Sequence, residues 1–354
     1  MAAPTRRRVV VTAPGAIDVV DAPRAPRSSG EASVSLLVAG VCGSDTAGVR
    51  GTHAFFAPPY HPGHEVVGVV DEIDPDNGVL RPGDRVVVEP TLPCGDCKTC
   101  RGGRENVCER LDFFGCGFTE GGMADQFVVP VDRLHRVPAS VSDLDAALIE
   151  PLATACHAVR LAGPLAGRSV VVVGAGTIGL LTLAVARSHG PRQVVVVDPL
   201  APKRSLAVRL GADAVLDADG DVATAARDAL GESADVVFDC VAGAATVAAS
   251  ITMALKGGTV VVVGGARRPV EVDLPRLQEY EVRLQGAITY TRADFEAAIA
   301  HVAAGLVSAE DLVTGRFPLH EAARAFAAVG AADQVKVLVV GDRAPAMTEH
   351  RSVS

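Results

Sequence analysis

The chain has 354 residues, 49% of them apolar, with 33 basic against 42 acidic side chains and a formal net charge of −9. That length suits about two domains of ~150 residues each, and the acidic balance argues against a nucleic-acid or anionic-membrane surface. The one basic run, Arg6 to Arg8, feeds straight into three valines, and no apolar stretch of about eighteen residues occurs. The expectation is a soluble, cytoplasmic protein whose partners are small molecules, with neither membrane nor nucleic acid among them.

Taken in chain order, the pattern changes twice. Residues 1–150 read as short strands separated by Gly and Pro: 31–39 alternates Val34, Leu36 and Val38 on one face, and 65–73 and 84–89 are apolar runs bounded by turn residues. Near Pro151 the rhythm becomes strand–helix alternation, with strands predicted at 170–173, 194–197, 214–216, 235–239, 259–263 and 283–287, and helices at 179–189, 203–210 and 245–255. Continuous valine runs mark strands buried on both faces, and alternation with helices implies a parallel, doubly wound sheet. After about residue 288 helices are expected at 293–304 and 319–329, then a strand at 335–340 that returns to the first domain. The expected division is 1–152 plus 289–354 for a β-rich domain, with 342–354 a frayed tail, and 153–288 for a dinucleotide-binding domain.

Three motif groups carry chemistry. Cys94-x2-Cys97-x2-Cys100-x7-Cys108 packs four thiols into fifteen residues. Four thiolates at about 2.3 Å close a tetrahedral zinc site and leave no open position, so this lobe is a structural staple; two disulfides are the alternative. Upstream, Cys42, His64 and Glu65, with Glu150 at the domain junction, offer one thiolate, one imidazole and two carboxylates. Three protein ligands plus an exchangeable position is the catalytic zinc pattern. Downstream, the strand at 170–173 runs into Gly174-Ala175-Gly176-Thr177-Ile178-Gly179 and a helix, the context in which GxGxxG carries meaning. There Gly174 permits a tight turn, Gly176 a close approach of pyrophosphate, and Gly179 close helix–sheet packing, while the helix N-terminus faces the phosphates. Asp198, nineteen residues past Gly179, suits the ribose hydroxyls of NAD and repels a 2′-phosphate; Arg204 nearby would suit NADP. The remaining thiols Cys116, Cys156 and Cys240 read as packing residues, with the stretch Phe113 to Phe118 around Cys116 also suited to lining the substrate cleft, and His157 as a satisfied core residue.

From Val9 to about Val340 the chain resembles the zinc-dependent medium-chain dehydrogenase/reductase family. The resemblance rests on Cys42-Gly43-Ser44-Asp45, Gly63-His64-Glu65, the four-cysteine lobe, Gly121-Gly122-Met123-Ala124, the Gly174–Gly179 loop and the stretch from Leu312 to Leu319. That last stretch and Glu150-Pro151-Leu152 are most similar to the sorbitol (polyol) and threonine dehydrogenase branch; ordinary alcohol dehydrogenases carry a Cys at the position of Glu150. The resemblance implies an α/β protein with a GroES-like β-rich catalytic domain interrupted by a Rossmann domain, two zinc ions per chain, and NAD in the cleft between domains. It implies catalytic zinc on Cys42 and His64, with Glu65 and Glu150 supplying the remaining contacts directly or through water, and Ser44 passing a proton outward. Relatives often have His where this chain has Ala47, so His53 or water is the expected substitute. The resemblance also implies a homodimer or homotetramer, formed through a Rossmann edge strand near 270–272 or 259–263.

The function expected is hydride transfer between NAD and a secondary alcohol of a polyol, sugar or cyclitol. Oxidation of a threonine-type amino alcohol, general alcohol or ketone reduction, and a nucleotide-binding regulatory protein are the alternatives. Candidate substrate contacts are Thr46, Phe55, Phe114, Thr289 and Tyr290.

Overall fold

A computed structural model describes residues 5–53, 55–78, 80–116, 120–266 and 268–344. The final residues of the expected tail, 345–354, lie outside that set. The valine runs behave as buried strands. Ser169–Val173, Gln193–Val197 and Ala234–Asp239 line up in parallel, with Val173 opposite both Val197 and Asp239. The full six-stranded order is Ala214–Leu216, Gln193–Val197, Ser169–Val173, Ala234–Asp239, Ala254–Val262, Arg283–Gly286. The chain starts in the third position and winds outward both ways, so the crevice at the carboxyl ends opens between Ser169–Val173 and Ala234–Asp239.

A seven-stranded sheet holds most of the rest, beside two separate pairs, Thr5–Ala13 with Ala16–Pro23 and Thr91–Leu92 with Asp112–Phe113. Glu31–Val41 is its spine, pairing antiparallel with Glu65–Ile73, with Gln126–Pro130 and with Lys336–Val340. The last strand thus joins the first part of the chain, with Val337 opposite Val41 and Leu338 opposite Gly40. Between the two sheets runs the helix Ile149–Ala162, whose Pro151 sits in the first turn, where a missing N–H costs nothing. It packs against the helices Thr177–Ser188 and Arg292–Ala303.

Several expectations need correction. The strand Ala254–Val262 is not an edge: Ala234–Asp239 and Arg283–Gly286 flank it. Residues 270–272 form no strand, because Pro269 and the Asp273-capped helix Leu274–Glu279 interrupt any extension. A helix at Val222–Leu230 was not anticipated. Its inner face is only Ala223, Ala226 and Leu230, too small to register as an apolar stripe, although Asp221 caps it and Gly231 ends it in the left-handed region. Strand Val313–Pro318 was also missed, and the segment at 319–329 is a 3-10 turn followed by the shorter helix Ala322–Ala328.

Candidate active site and cysteine lobe

The lobe is built by local turns. Cys97 caps the short helix Lys98–Arg101, which brings Cys100 back over it, and the turn Glu105–Val107 delivers Cys108. The sulfurs lie 3.3 Å (Cys94–Cys108), 3.4 Å (Cys97–Cys100), 3.8 Å (Cys97–Cys108) and 4.0 Å (Cys94–Cys100) apart. A tetrahedron with bonds of about 2.3 Å has edges of about 3.8 Å, so the four donors fit one zinc ion. None is in a disulfide. The Cys97 thiol is pulled down to about 5, first by the Thr99 hydroxyl and then by backbone N–H groups, which favours the thiolate a metal requires.

The second donor group comes from separate elements. Cys42 caps the helix Gly43–Val49, and His64 and Glu65 stand at the start of Glu65–Ile73. One donor atom from each of Cys42, His64 and Glu65 lies within 4.8 Å of the others, a sulfur–nitrogen–oxygen set that fits a borderline-soft divalent ion. Asp45 and Cys116 flank His64: Nδ1 is 3.6 Å from Asp45 Oδ1 and 3.4 Å from Cys116 Sγ. Asp45 is fully buried and spends Oδ2 on the Cys42 N–H, which steadies the loop, while Oδ1 is buried without a hydrogen bond among the described residues and faces the ring. Burial pushes the Asp45 carboxyl up and the Cys116 thiol up, while each is opposed by His64.

Neither glutamate stands free. Glu65 Oε2 is paired with the ammonium of Lys336, itself buried, and that ammonium also reaches the Val41 carbonyl at 3.4 Å. Gly40 makes room for the pair, since a Cβ there would overlap Glu65 Oε2. Glu150 lies outside the 4.8 Å group and accepts from the Tyr290 hydroxyl at 2.6 Å. Burial pushes its carboxyl up to about 7; Glu65 adds to the rise, and His64 and the Tyr290 hydroxyl oppose it.

The dinucleotide loop fits its expected ligand. Gly174 has φ +93°, a Cβ on Gly179 would strike the Gly174 carbonyl at 1.7 Å, and a Cβ on Gly176 would meet nothing within 4 Å, which leaves open room at the N-terminus of Thr177–Ser188. Asp198 accepts from the Ala175 and Leu200 N–H groups at 2.7 and 2.8 Å, which fixes it against the loop with lone pairs to spare. Thr177 and Arg204 are committed elsewhere. The Thr177 hydroxyl donates to the Val335 carbonyl, and Arg204 bonds the Asp198 carbonyl and pairs with Asp217 at 2.9 Å. Ile178 is only partly buried beside them.

Other candidates separate. Ser44 is half-buried in the first turn after Cys42. His53 stacks on Phe56 with centroids 4.0 Å apart, and burial, then His64, lowers its pKa. Phe114 is packed on Phe127 in the core, and Tyr290 is fully buried as the partner of Glu150, so neither offers a free face to substrate. The Thr46 hydroxyl turns back to the Gly43 carbonyl, whereas Phe55 is 85% exposed. His157 is a satisfied core residue, held by Asp294 and Asn106. Cys116, expected to be packing, stands at His64. Lys336 and Asp45 were missed; the signal for Lys336 was a lone cation opening an otherwise apolar strand.

Comparison with known proteins follows the same lines. Family models described as Alcohol dehydrogenase GroES-like domain and Zinc-binding dehydrogenase match residues 28–139 and 177–304. The chain is 34% identical to a probable D-xylulose reductase A of Aspergillus clavatus, over 88% of this chain and 89% of that one. Among solved structures, L-idonate 5-dehydrogenase of Escherichia coli superposes with a TM-score of 0.87 at 27% identity, covering 95% of this chain and 98% of that one. A Sinorhizobium meliloti structure described as a zinc-binding dehydrogenase bound to NADP gives 0.89 at 32%, covering 95% and 99%. The chain belongs to the zinc-dependent medium-chain dehydrogenase/reductase family, in its polyol branch, and is an oxidoreductase.

Proposed function

We propose that this protein transfers a hydride between NAD and a secondary alcohol of a polyol, sugar or cyclitol, with Cys42, His64, Glu65 and Glu150 around the reacting oxygen. The observation that carries this reading is the convergence of the Cys42, His64 and Glu65 donors within 4.8 Å. Zinc on these residues would supply Lewis acidity to the substrate oxygen, and NAD the hydride acceptor. The chain's own groups do the rest. Asp45 fixes the Cys42 loop and sets a carboxylate oxygen 3.6 Å from the His64 ring, Tyr290 holds Glu150, and Lys336 neutralises Glu65. A buried carboxyl near 7 is poised to hold or give up a proton at working pH. Ser44, two residues beyond Cys42, carries the proton outward, and with Ala47 in place of a histidine the path continues through water or His53. The pairing of Arg204 with Asp217 commits the nearby cation that would suit a 2′-phosphate, which supports NAD over NADP.

The test is a panel of polyols, sugars, inositols and amino alcohols, read as NADH production, alongside metal content. About two zinc ions per chain and turnover of a polyol or sugar are expected; turnover of threonine alone, or a strong NADP preference, overturns the substrate or Asp198 assignment. A homodimer is proposed through the outer strand Arg283–Gly286, whose Leu284 is exposed at the sheet edge. Sedimentation as a monomer at micromolar concentration would reject it. No helix among the described residues is long and apolar enough to cross a membrane. With all eight cysteines unpaired, a reducing, cytoplasmic compartment is proposed; recovery of the native protein in a membrane or secreted fraction would refute this.

A further inference from the structure

Two residues reach out of the cysteine lobe. Glu105 and Asn106 lie in the turn Glu105–Val107, between Cys100 and Cys108. Glu105 Oε1 accepts from the Arg292 N–H at 2.8 Å, and Asn106 Nδ2 donates to the Ile288 carbonyl at 3.0 Å. These bonds hold both ends of the segment 288–292. The same Asn106 nitrogen is 3.3 Å from His157 Nε2, and Asp294 Oδ2 is 2.8 Å from His157 Nδ1. Arg160 Nη2 also reaches that Nδ1, at 2.9 Å, so Asp294 and Arg160 hold the ring on one side and the Asn106 amide meets it on the other. His157 sits seven residues, two turns, beyond Glu150 on one face of the helix Ile149–Ala162. One buried amide therefore ties that helix to the segment 288–292.

The segment is not at rest. Thr289 has φ +47°, in the left-handed region that a β-branched residue resists, and its hydroxyl is buried without a hydrogen-bond partner. Such strain persists only where the surroundings over-determine it. The next residue, Tyr290, is fully buried and donates to Glu150. Relaxation at Thr289 would swing Tyr290 off that carboxyl.

We propose that Asn106 is a positioning residue: by clamping segment 288–292 to the helix Ile149–Ala162 it lets the cysteine lobe set the Tyr290–Glu150 pair, although no lobe cysteine belongs to the Cys42–His64–Glu65 group. This rests on the reading of Glu150 as part of the reacting centre, so the test includes a readout independent of turnover. The metal-loaded, full-length protein is compared with Asn106→Asp, which keeps the shape and loses both donations, and Asn106→Leu, which does so without added charge. Hydrogen exchange is followed over residues 286–292 with tyrosine difference absorption, which is legible because the chain has three tyrosines and no tryptophan. Loss of buried hydrogen bonds should speed exchange there by about tenfold and lower kcat by about as much. The KM for NAD should stay within about twofold and the lobe thiols should remain unreactive, since neither the dinucleotide loop nor the sulfurs are touched. Adding Thr289→Asn, which tolerates the left-handed region, should return exchange toward the parent rate. Unchanged exchange in both variants, or a rise spread over the whole chain, overturns the clamp. Should one variant fail to fold, the other decides. If the parent turns over no alcohol at all, the functional reading falls, while the exchange result still judges the clamp.

Discussion

The cysteine lobe and the Cys42–His64–Glu65 group both collect metal donors, yet they are assembled in opposite ways. The lobe takes four identical donors from one short stretch, with sulfur–sulfur separations of 3.3 to 4.0 Å that close around an ion. The centre takes unlike donors from distant parts of the chain, and both of its acids have other partners, Lys336 for Glu65 and Tyr290 for Glu150. Lys336 offsets the charge of Glu65, which remains within 4.8 Å of the Cys42 and His64 donors, whereas Glu150, held by Tyr290, lies outside that group. The lobe also reaches segment 288–292, through Glu105 to the Arg292 N–H and through Asn106 to the Ile288 carbonyl.

The comparison is broken most forcefully at the lobe. A structural metal supplies folding free energy directly, on the order of 10 kcal/mol in small domains. Cys108→Ser should therefore cost more stability than any change at the centre, lowering the melting temperature by roughly 10 °C or more. A calorimetric scan with metal analysis checks this. A variant that keeps one zinc fewer but melts with the parent would show that the lobe is not a staple. Cys42→Ala should do the reverse. Losing the thiolate ligand should cut turnover by about a thousandfold, several kcal/mol of charge stabilisation, while the melting temperature changes little and the lobe metal stays. Equal loss of both metals would erase the distinction between the sites.

A third variant sharpens the point about occupied acids. Lys336→Met leaves the Glu65 carboxylate buried without its counter-charge, which typically costs about 3–5 kcal/mol. The double variant Lys336→Met/Glu65→Gln removes both charges and should recover most of that loss. Denaturant unfolding of the parent, the two single variants Lys336→Met and Glu65→Gln, and the double variant measures it; additive losses would show that the two side chains do not act as a pair.

These residues also show where sequence reasoning reached its limit. The lobe was legible in full, because all its donors fall in one contiguous spacing. So was the parallel sheet, whose valine runs can be buried only from both faces, and the loop from Gly174 to Gly179, whose glycine spacing answers a backbone need. At the centre the sequence named Cys42, His64 and Glu65, which converge, and Glu150, which lies outside their group, and it gave no hint of the side chains that restrain them. Lys336 lies 271 residues from Glu65, Asn106 182 from Ile288 and Tyr290 140 from Glu150, and only the return of the last strand to Glu31–Val41 brings Lys336 to Glu65. A spacing rule sees neighbours along the chain, and the contacts that tune an open site are made across it. The misplaced edge strand has the same origin: the alternation at Val270 and Val272 is local, whereas an edge is defined by what else pairs.

The smallest effect expected tests the outer end of the clamp. Asp294 receives hydrogen bonds from Thr291, His157 and Arg160. Burial alone would raise its carboxyl, but those hydrogen bonds, from Arg160 first, hold it well below the usual 3.8. The folded protein therefore binds fewer protons at this site than the unfolded chain. Stability from Asp294 is fully present above about pH 3.8 and drains away as pH falls toward the folded value. Asp294→Asn should cost about 1–3 kcal/mol at pH 7, the scale of buried hydrogen bonds to a charged group. The gap between variant and parent should narrow steadily in acid below pH 4. A gap that stays constant from pH 7 into acid would mean that the ionised carboxylate is not what joins His157 to the start of Arg292–Ala303, and the lobe's grip on the centre would then have to run through Asn106 and Glu105 alone.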